Sequence, residues 1–341
     1  MDLVTLVRRA GPGRVLGLLV VLLLLVAGGL FASFWTTGGD AVAAGAPYVL
    51  FRVHRGEPLD SVAARLQAHG VIRSALYFRI QADLDHSAGD IQAGTYRLSG
   101  REDAAAILRA FVEGAVATHK LTVPEGFTIS DIAFRLQDQH IVSEAAFVAA
   151  AKDFANPFLA KGAAVRYRLE GYAFPTTYEL PYGASAQDIA DIMYAQWERQ
   201  FTPAMRALAA KEHLTTNQVL TLASLVEKEA FAESERPKIA AVFLNRLKKG
   251  MPLQSDPTVS YAMGQHLTYV SIADTHYPSP YNTYYHAGLP PGPICNPGMP
   301  SIEAVLHPAD VTYLYFYSLP NGSIIFSNSY NQQLAAERAH P

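Results

Sequence analysis

Two glutamates stand one residue apart at the end of an apolar helical pattern, Val219-Leu220-Thr221-Leu222-Ala223-Ser224-Leu225-Val226-Glu227-Lys228-Glu229. Thr215 or Thr216 can cap this helix, and Val219, Leu222, Ala223, Val226 and Ala230 form one stripe along it. At about 100° per residue, Lys228 points away from the stripe, and Glu227 and Glu229 lie on its two edges, roughly 160° apart. The two carboxylates therefore cannot form a close dyad. Either one could sit half-buried at the rim of a core, where desolvation raises a carboxyl toward the range a general acid needs. The plain alternative is that both are solvated helix-edge carboxylates. Periodicity alone does not choose between them.

What such a carboxyl can act on depends on its surroundings. A second amphipathic helix is predicted from Ser234, with Pro237 tolerated in its first turn and Ile239, Val242, Phe243 and Leu247 facing inward. Lys248-Lys249-Gly250 closes it with favourable charge and a glycine stop. Asn245 and Arg246 fall near that end. Proline- and glycine-rich stretches follow at residues 251–259, 279–284 and 288–298 and are read as rigid loops. Their Tyr, Asn, Thr and Gln side chains would project in fixed directions, which suits an oligosaccharide with its hydroxyls and apolar ring faces. Phosphate is a poor fit, because no Gly-rich loop with a lysine opens a helix. The aromatic, turn-rich stretch at residues 170–180 is compatible with either a sugar groove or a surface loop.

Other chemistries have weaker support. A serine hydrolase would use Ser224 or Ser255 with His266, His276 or His286, yet no Gly-x-Ser-x-Gly elbow is present. His-x-x-x-His and Asp-x-Asp-x-Asp spacings are missing, so no metal and no cofactor are expected. The net charge of −3 is scattered, without the concentrated basic face of a nucleic-acid binder. Half of the 341 residues are apolar, which excludes a disordered chain. The lone Cys295 forbids an internal disulfide and a cysteine zinc cage.

The elements that must position these groups begin with an uncharged run at residues 15–34 dominated by Leu and Val. A helix of this length spans about 30 Å, the thickness of a bilayer core. Arg8, Arg9 and Arg14 precede it and no positive charge follows directly, so the positive-inside rule leaves the tail in the cytoplasm and exports the rest. A cleaved signal peptide is the competing reading, with Ala41-Val42-Ala43 as the cleavage site, but the run exceeds the usual apolar region of such a signal. Residues 36–46 read as a Gly- and Ala-rich tether.

An internal duplication follows, offset by 70 residues. Val53, Gly56, Leu59 and Val62 match Val123, Gly126, Ile129 and Ile132, and Ala63, Arg65, Leu66 and Gln67 recur identically as Ala133, Arg135, Leu136 and Gln137. Val71-Ile72 then corresponds to Ile141-Val142. Strands such as residues 94–98 interleave with helices such as residues 104–112, and no long parallel-strand run occurs, which favours an α+β fold.

At this point the sequence resembles a known family. Ala223-Ser224-Leu225-Val226-Glu227-Lys228-Glu229 is similar to the Ala-Ser-Ile-Val-Glu-Lys-Glu signature of the YceG-like (MltG-type) endolytic lytic transglycosylases. Val242-Phe243-Leu244-Asn245-Arg246-Leu247, Leu253-Gln254-Ser255-Asp256-Pro257-Thr258-Val259, Tyr281-Asn282-Thr283-Tyr284, residues 288–298, His307-Pro308-Ala309 and Tyr313-Leu314-Tyr315-Phe316 continue the likeness in order. The resemblance implies a tail at 1–14, a transmembrane helix at 15–35, a linker at 36–46, a LysM-like module at 47–119 and a YceG-like catalytic domain at 120–341. It implies Glu229 as the one catalytic acid/base. The implied reaction cuts the β-1,4 bond between N-acetylmuramic acid and N-acetylglucosamine of nascent peptidoglycan, leaving a 1,6-anhydro end and terminating strand elongation. It also implies an inner-membrane protein with a periplasmic catalytic domain, working near penicillin-binding synthases and the division or elongation machinery. Asn245, Gln254, Asp256, Tyr281, Asn282 and Thr283 are the candidates for holding the sugars. The chain departs from the family at Thr176, where an acid is usual, and at Ile324 and Gln333-Leu334, where histidine-containing pairs are usual. The non-catalytic alternative is a membrane-anchored peptidoglycan-binding scaffold.

Overall fold

The apolar run folds as helix α1 (Pro12–Thr37) in the computed structural model, which describes residues 12–159, 164–319 and 321–340. The tail expected before it falls, as far as Gly11, outside the described residues. The stretch Leu16–Thr37 has a mean hydropathy of 2.6 and buries none of its surface, so by length and composition it can cross a bilayer. Trp35, near its end, lies 5.8 Å from the ring of Tyr77.

The chain divides into two units, Met1–Thr118 with Pro181–Gly183, and His119–Leu180 with Ala184–Pro341. In the first, the order after α1 is β1 (Tyr48–Val53), α2 (Leu59–Ala68), α3 (Ala75–Leu84), β2 (Gly94–Ser99) and α4 (Ala104–Glu113). Strands β1 and β2 pair antiparallel, with Phe51 opposite Tyr96. Their period-two alternation turns Phe51 and Val53 inward and leaves Leu50 and Arg52 outside. Those inward residues meet Val62, Leu66, Phe78, Ile107 and Phe111 in one core.

The second unit contains β3 (Thr118–Thr122), α5 (Ile129–Asp138), α6 (Glu144–Lys152), β4 (Thr177–Pro181), α7 (Ala186–Gln200) and α8 (Pro203–Lys211). Then come α9 (Thr216–Glu229), α10 (Arg236–Lys248), α11 (Asp256–Met263), α12 (Met299–Leu306), β5 (Tyr315–Ser318), β6 (Ile324–Ser327) and α13 (Tyr330–Ala339). Every sheet among the described residues has two strands, so helices dominate a mixed α+β architecture. Helix α11 takes up residues 256–259 of the stretch 251–259 that the sequence suggests is a loop. Pro257 falls in its first turn, where the missing N–H costs nothing.

The duplicated segments repeat in detail within their own units. Gly56 and Gly126 both turn the chain with positive φ, 74° and 77°. Arg65 donates to the carbonyl of Arg52 as Arg135 does to that of Thr122. The Gln67 and Gln137 side chains each accept the backbone N–H that opens the next helix region, from Ala75 and Glu144. Val71 and Ile141 close the two α2-type helices on Leu66 and Leu136.

Helix α9 is the core of the second unit. Thr215 caps it, as the sequence allowed, through a reciprocal bond with Gln218. The expected single stripe is too narrow, however. Every residue from Val219 to Val226 is buried, because α10, α11 and α12 all pack against this helix. Its polar residues survive burial by bonding backbone: Thr221 donates to the Asn217 carbonyl and Ser224 to that of Thr221.

Candidate active site

The two glutamates of α9 end in different surroundings. Glu227 accepts hydrogen bonds from Arg236 at 3.0 Å, the Ser301 hydroxyl at 2.7 Å and the Gly298 N–H at 3.1 Å. With 7% of its side chain exposed and Arg236 at 13%, this is a shielded ion pair joining α9 to the starts of α10 and α12. All its acceptor capacity is directed inward, toward structure.

Glu229 is the last residue of α9 and is only partly covered. Its Oε1 accepts one bond, from the Ser255 hydroxyl at 2.6 Å. Among the described residues no donor reaches Oε2. Burial of the carboxyl pushes its pKa up to about 7, and the Asp256 carboxylate adds to that rise. The Ser255 bond and the Arg246 cation pull the other way. The outcome is a carboxyl that holds and releases a proton near neutrality, as a group acting in turn as acid and base must.

Ser255 owes its place to a folded-back loop. It is 1% exposed, and its N–H donates to the Thr283 hydroxyl at 3.0 Å. That hydroxyl also bonds the Thr258 hydroxyl at 2.9 Å. Gln254 donates its N–H to the Thr283 carbonyl at 3.2 Å. Gln254 has φ 50°, in the left-handed region. The other described non-glycine residues with positive φ, His86, His140 and His213, each follow a helix end, whereas Gln254 precedes α11 and holds its turn by tertiary bonds.

Arg246 supplies another support. Its Nε donates to the Leu314 carbonyl at 2.6 Å and its Nη1 to the Leu253 carbonyl at 2.8 Å. The guanidinium lies 5.0 Å from the centre of the Tyr315 ring. One fixed cation thus ties α10, the Gln254 turn and β5 together beside Glu229.

The predicted sugar-contact residues separate into two groups. Gln254 and Asp256 are exposed, and Asp256 accepts a 2.6 Å bond from the Tyr284 hydroxyl. Tyr281, Asn282 and Thr283 are not on the surface, being 4%, 0% and 2% exposed. The Tyr281 hydroxyl accepts the Arg166 N–H at 3.1 Å, and the Asn282 amide donates to the carbonyls of Thr275 and Tyr277. Thr283 holds the turn that carries Ser255, while Tyr281 and Asn282 satisfy backbone groups of neighbouring segments, as irregular buried backbone requires. Asn245 is likewise engaged elsewhere: its amide donates to the carbonyls of Val311 at 2.9 Å and Tyr313 at 3.1 Å, not to Glu229.

Ser255, read in the sequence only as a possible hydrolase nucleophile, stands against Glu229 together with Arg246, and Tyr284 against Asp256, placements that sequence reasoning did not assign. All three lie inside the motifs already singled out. The clearest miss is Glu170, 1% exposed. It accepts from the Ile129 N–H that opens α5, from the Tyr261 hydroxyl and from the Asn296 amide, at 3.1, 3.0 and 3.2 Å. Burial pushes its pKa up to about 8. Only its position beside Gly171, whose added Cβ would strike Pro293, marks it as crowded.

The serine-hydrolase reading fails on geometry. Among the described residues no serine hydroxyl bonds a histidine: Ser224 is enclosed in α9, Ser255 donates to Glu229, and His266 pairs with Asp131. No three His, Cys, Asp or Glu side chains converge to hold a metal among the described residues.

Comparison with known proteins adds independent evidence. The model of the YceG-like family matches residues 51–339. An endolytic murein transglycosylase of Bacillus subtilis is 34% identical over 307 residues, covering 86% of this chain and 84% of its own length. One from Streptococcus pneumoniae is 31% identical over 349 residues, and the match spans 92% of this chain but 63% of that longer protein. A crystal structure of a YceG-like protein from Listeria monocytogenes superposes with a TM-score of 0.60 at 32% identity, covering 86% of this chain and all of that one.

Proposed function

This chain belongs to the YceG-like family, and from that premise we propose that it is an endolytic murein transglycosylase with Glu229 as its single acid/base. The observation that carries this reading is the contrast on α9. Glu227 accepts on both oxygens, from Arg236, Ser301 and Gly298, while Glu229 keeps one oxygen unbonded among the described residues and a proton affinity near neutrality.

The reaction follows from that arrangement. Protonated Glu229 gives its proton to the glycosidic oxygen as the bond from C1 of N-acetylmuramic acid breaks. The C6 hydroxyl of the same sugar attacks C1, and its proton passes to the Glu229 carboxylate, restoring the starting state. The nucleophile comes from the substrate, so no second enzymic carboxylate is needed, in contrast to most glycoside hydrolases. Intramolecular attack also avoids the entropic cost of recruiting water. Ser255, by holding Oε1, leaves Oε2 as the oxygen that exchanges the proton. Gln254 and Asp256 stand at the exposed edge where sugar hydroxyls would be held.

Mass spectrometry of products from purified glycan tests this directly. The wild type yields 1,6-anhydro-muramic ends, and Glu229→Gln folds normally but yields none. Activity retained by that variant removes the acid/base role. Ordinary reducing ends from the wild type would instead make the enzyme a hydrolase, with the Asp256 carboxylate beside Glu229 as the group guiding water. A non-catalytic scaffold would give no cleavage in either protein.

Helix α1 is read as a single-pass inner-membrane anchor, with Arg8, Arg9 and Arg14 on the cytoplasmic side and both units in the periplasm. The β1-α2-α3-β2 order supports a LysM-like module. Anchoring would keep the site close to nascent strands at the membrane, near the penicillin-binding synthases that make them, where one cut ends elongation.

A further inference from the structure

A cavity of about 350 Å³ lies against α9 beside Glu229, within the size range of small-ligand sites. The catalytic mechanism makes no use of it. Lys228, the residue before Glu229, forms part of one wall, and Asp256, the residue after Ser255, forms part of another. The cavity is thus walled in part by the residues that neighbour Glu229 and Ser255 in the chain, and Asp256 on its wall is close enough to Glu229 to act on its charge.

Its lining is uneven in charge. Arg166 and Lys228 both contribute, together with His266, which is paired with Asp131 at 3.0 Å, and Asp256 is the one carboxylate among the described wall residues. Asp256 is engaged by the Tyr284 hydroxyl at 2.6 Å. Arg166 is fixed in place, donating to the carbonyls of Tyr261 and Ala262 with its guanidinium 4.7 Å from the centre of the Tyr261 ring. Lys228 is exposed, and among the described residues no carboxylate lies within ion-pairing distance of it. A neutral sugar gives these cations nothing to pair with. An anionic substituent does, and a fixed guanidinium with an unpaired ammonium beside apolar wall residues such as Val270 and Ile294 favours a carboxylate on a peptide.

In murein such a group is attached to the reacting sugar itself. The lactyl ether of N-acetylmuramic acid bears the stem peptide, whose carboxylates hang from the same ring whose C1 and C6 react. We propose that this cavity is a stem-peptide subsite, in which Lys228 and Arg166 receive a stem carboxylate and favour peptide-bearing strands over bare glycan. The assignment rests on the transglycosylase reading for the placement of the muramic ring at Glu229.

The test is equilibrium binding to the full-length chain in detergent, carrying Glu229→Gln so that no substrate is consumed. Strands of equal length are compared with their stems intact, with stem carboxylates methyl-esterified, and with stems removed by an amidase and the lactyl carboxylates this exposes methyl-esterified. Intact stems bind about tenfold more tightly than either alternative, the size of one charge-assisted contact. Adding Lys228→Gln abolishes that ratio, and so does Thr268→Trp, which narrows the cavity from its exposed rim without altering charge. Equal affinity for all three strands, or a ratio that survives both substitutions, overturns the proposal. Wild-type product analysis, run in parallel, reports separately on the transglycosylase reading: a stem preference without anhydro products would sink the chemistry and keep the site.

Discussion

The Ser255 hydroxyl lies 2.6 Å from Oε1 of Glu229 and is the sole hydrogen-bond donor to that carboxyl among the described residues. A bond to the ionised form lowers a carboxyl pKa, so Ser255 restrains the rise that burial imposes and holds Glu229 near 7. The proton affinity and the orientation of Glu229 therefore both depend on a residue 26 positions away in the chain.

Removing that donor has a signed consequence. Glu229 must start protonated, so kcat/KM falls as pH rises through about 7. In Ser255→Ala the basic limb of the profile moves to higher pH. The plateau falls by about tenfold, because the carboxyl loses its orienting partner. A pH–rate profile of both proteins measures this, and an unmoved basic limb would detach Ser255 from the titration.

Thr283→Val keeps the shape of the side chain but leaves the buried Ser255 N–H without its acceptor. Stability should fall by about 1–3 kcal/mol, the cost of one unsatisfied buried donor. The basic limb should shift in the same direction as in Ser255→Ala, because the turn no longer presents the hydroxyl. Denaturant unfolding combined with the pH profile separates this positioning role from a sugar contact, which would raise KM without moving the limb.

Glu227→Gln tests the opposite assignment. Breaking one half of a shielded ion pair strands Arg236, and destabilisation of about 3 kcal/mol is expected. Once folded at low temperature, the variant should retain the chemistry of Glu229 and yield the same anhydro products. Loss of products from a well-folded Glu227→Gln protein would reverse the roles of the two glutamates.

Glu170 makes the fold itself sensitive to pH. Its folded pKa, about 8, lies above its ordinary value of 4.5. The stability it contributes is therefore fully present below about pH 4.5 and is lost as pH rises through 8. Glu229 acts in the same sense through about 7, so the measurement belongs in a Glu229→Gln background. There, Tm should decline from pH 5 to pH 9, and Glu170→Gln should flatten that decline. Parallel Tm curves with and without Glu170→Gln would show that the interior carboxyl does not titrate in this window.

Much of the architecture was legible locally. The uncharged run, the Thr215 cap and the Gly250 stop all obey rules set by residues a few positions apart. The duplication was legible too, because repeating Arg, Gln and Gly at one offset repeats the same local bonds. Local pattern likewise narrowed the chemistry to two carboxylates on opposite edges of one helix.

Choosing between those edges by geometry required distant chain. Arg236, Ser301 and Gly298 close around Glu227, while Thr283 delivers Ser255 to Glu229. Polar residues in proline-rich stretches look alike in sequence whether they face a ligand or an unpaired backbone group, so Tyr281 and Asn282 read as sugar-holding candidates, and only the fold shows that both are buried and bonded to backbone groups. Glu170 escaped notice for the same reason, its partners lying at Ile129, Tyr261 and Asn296. Burial, which sets the proton affinity of both Glu229 and Glu170, is a sum over neighbours that only the closed fold brings together.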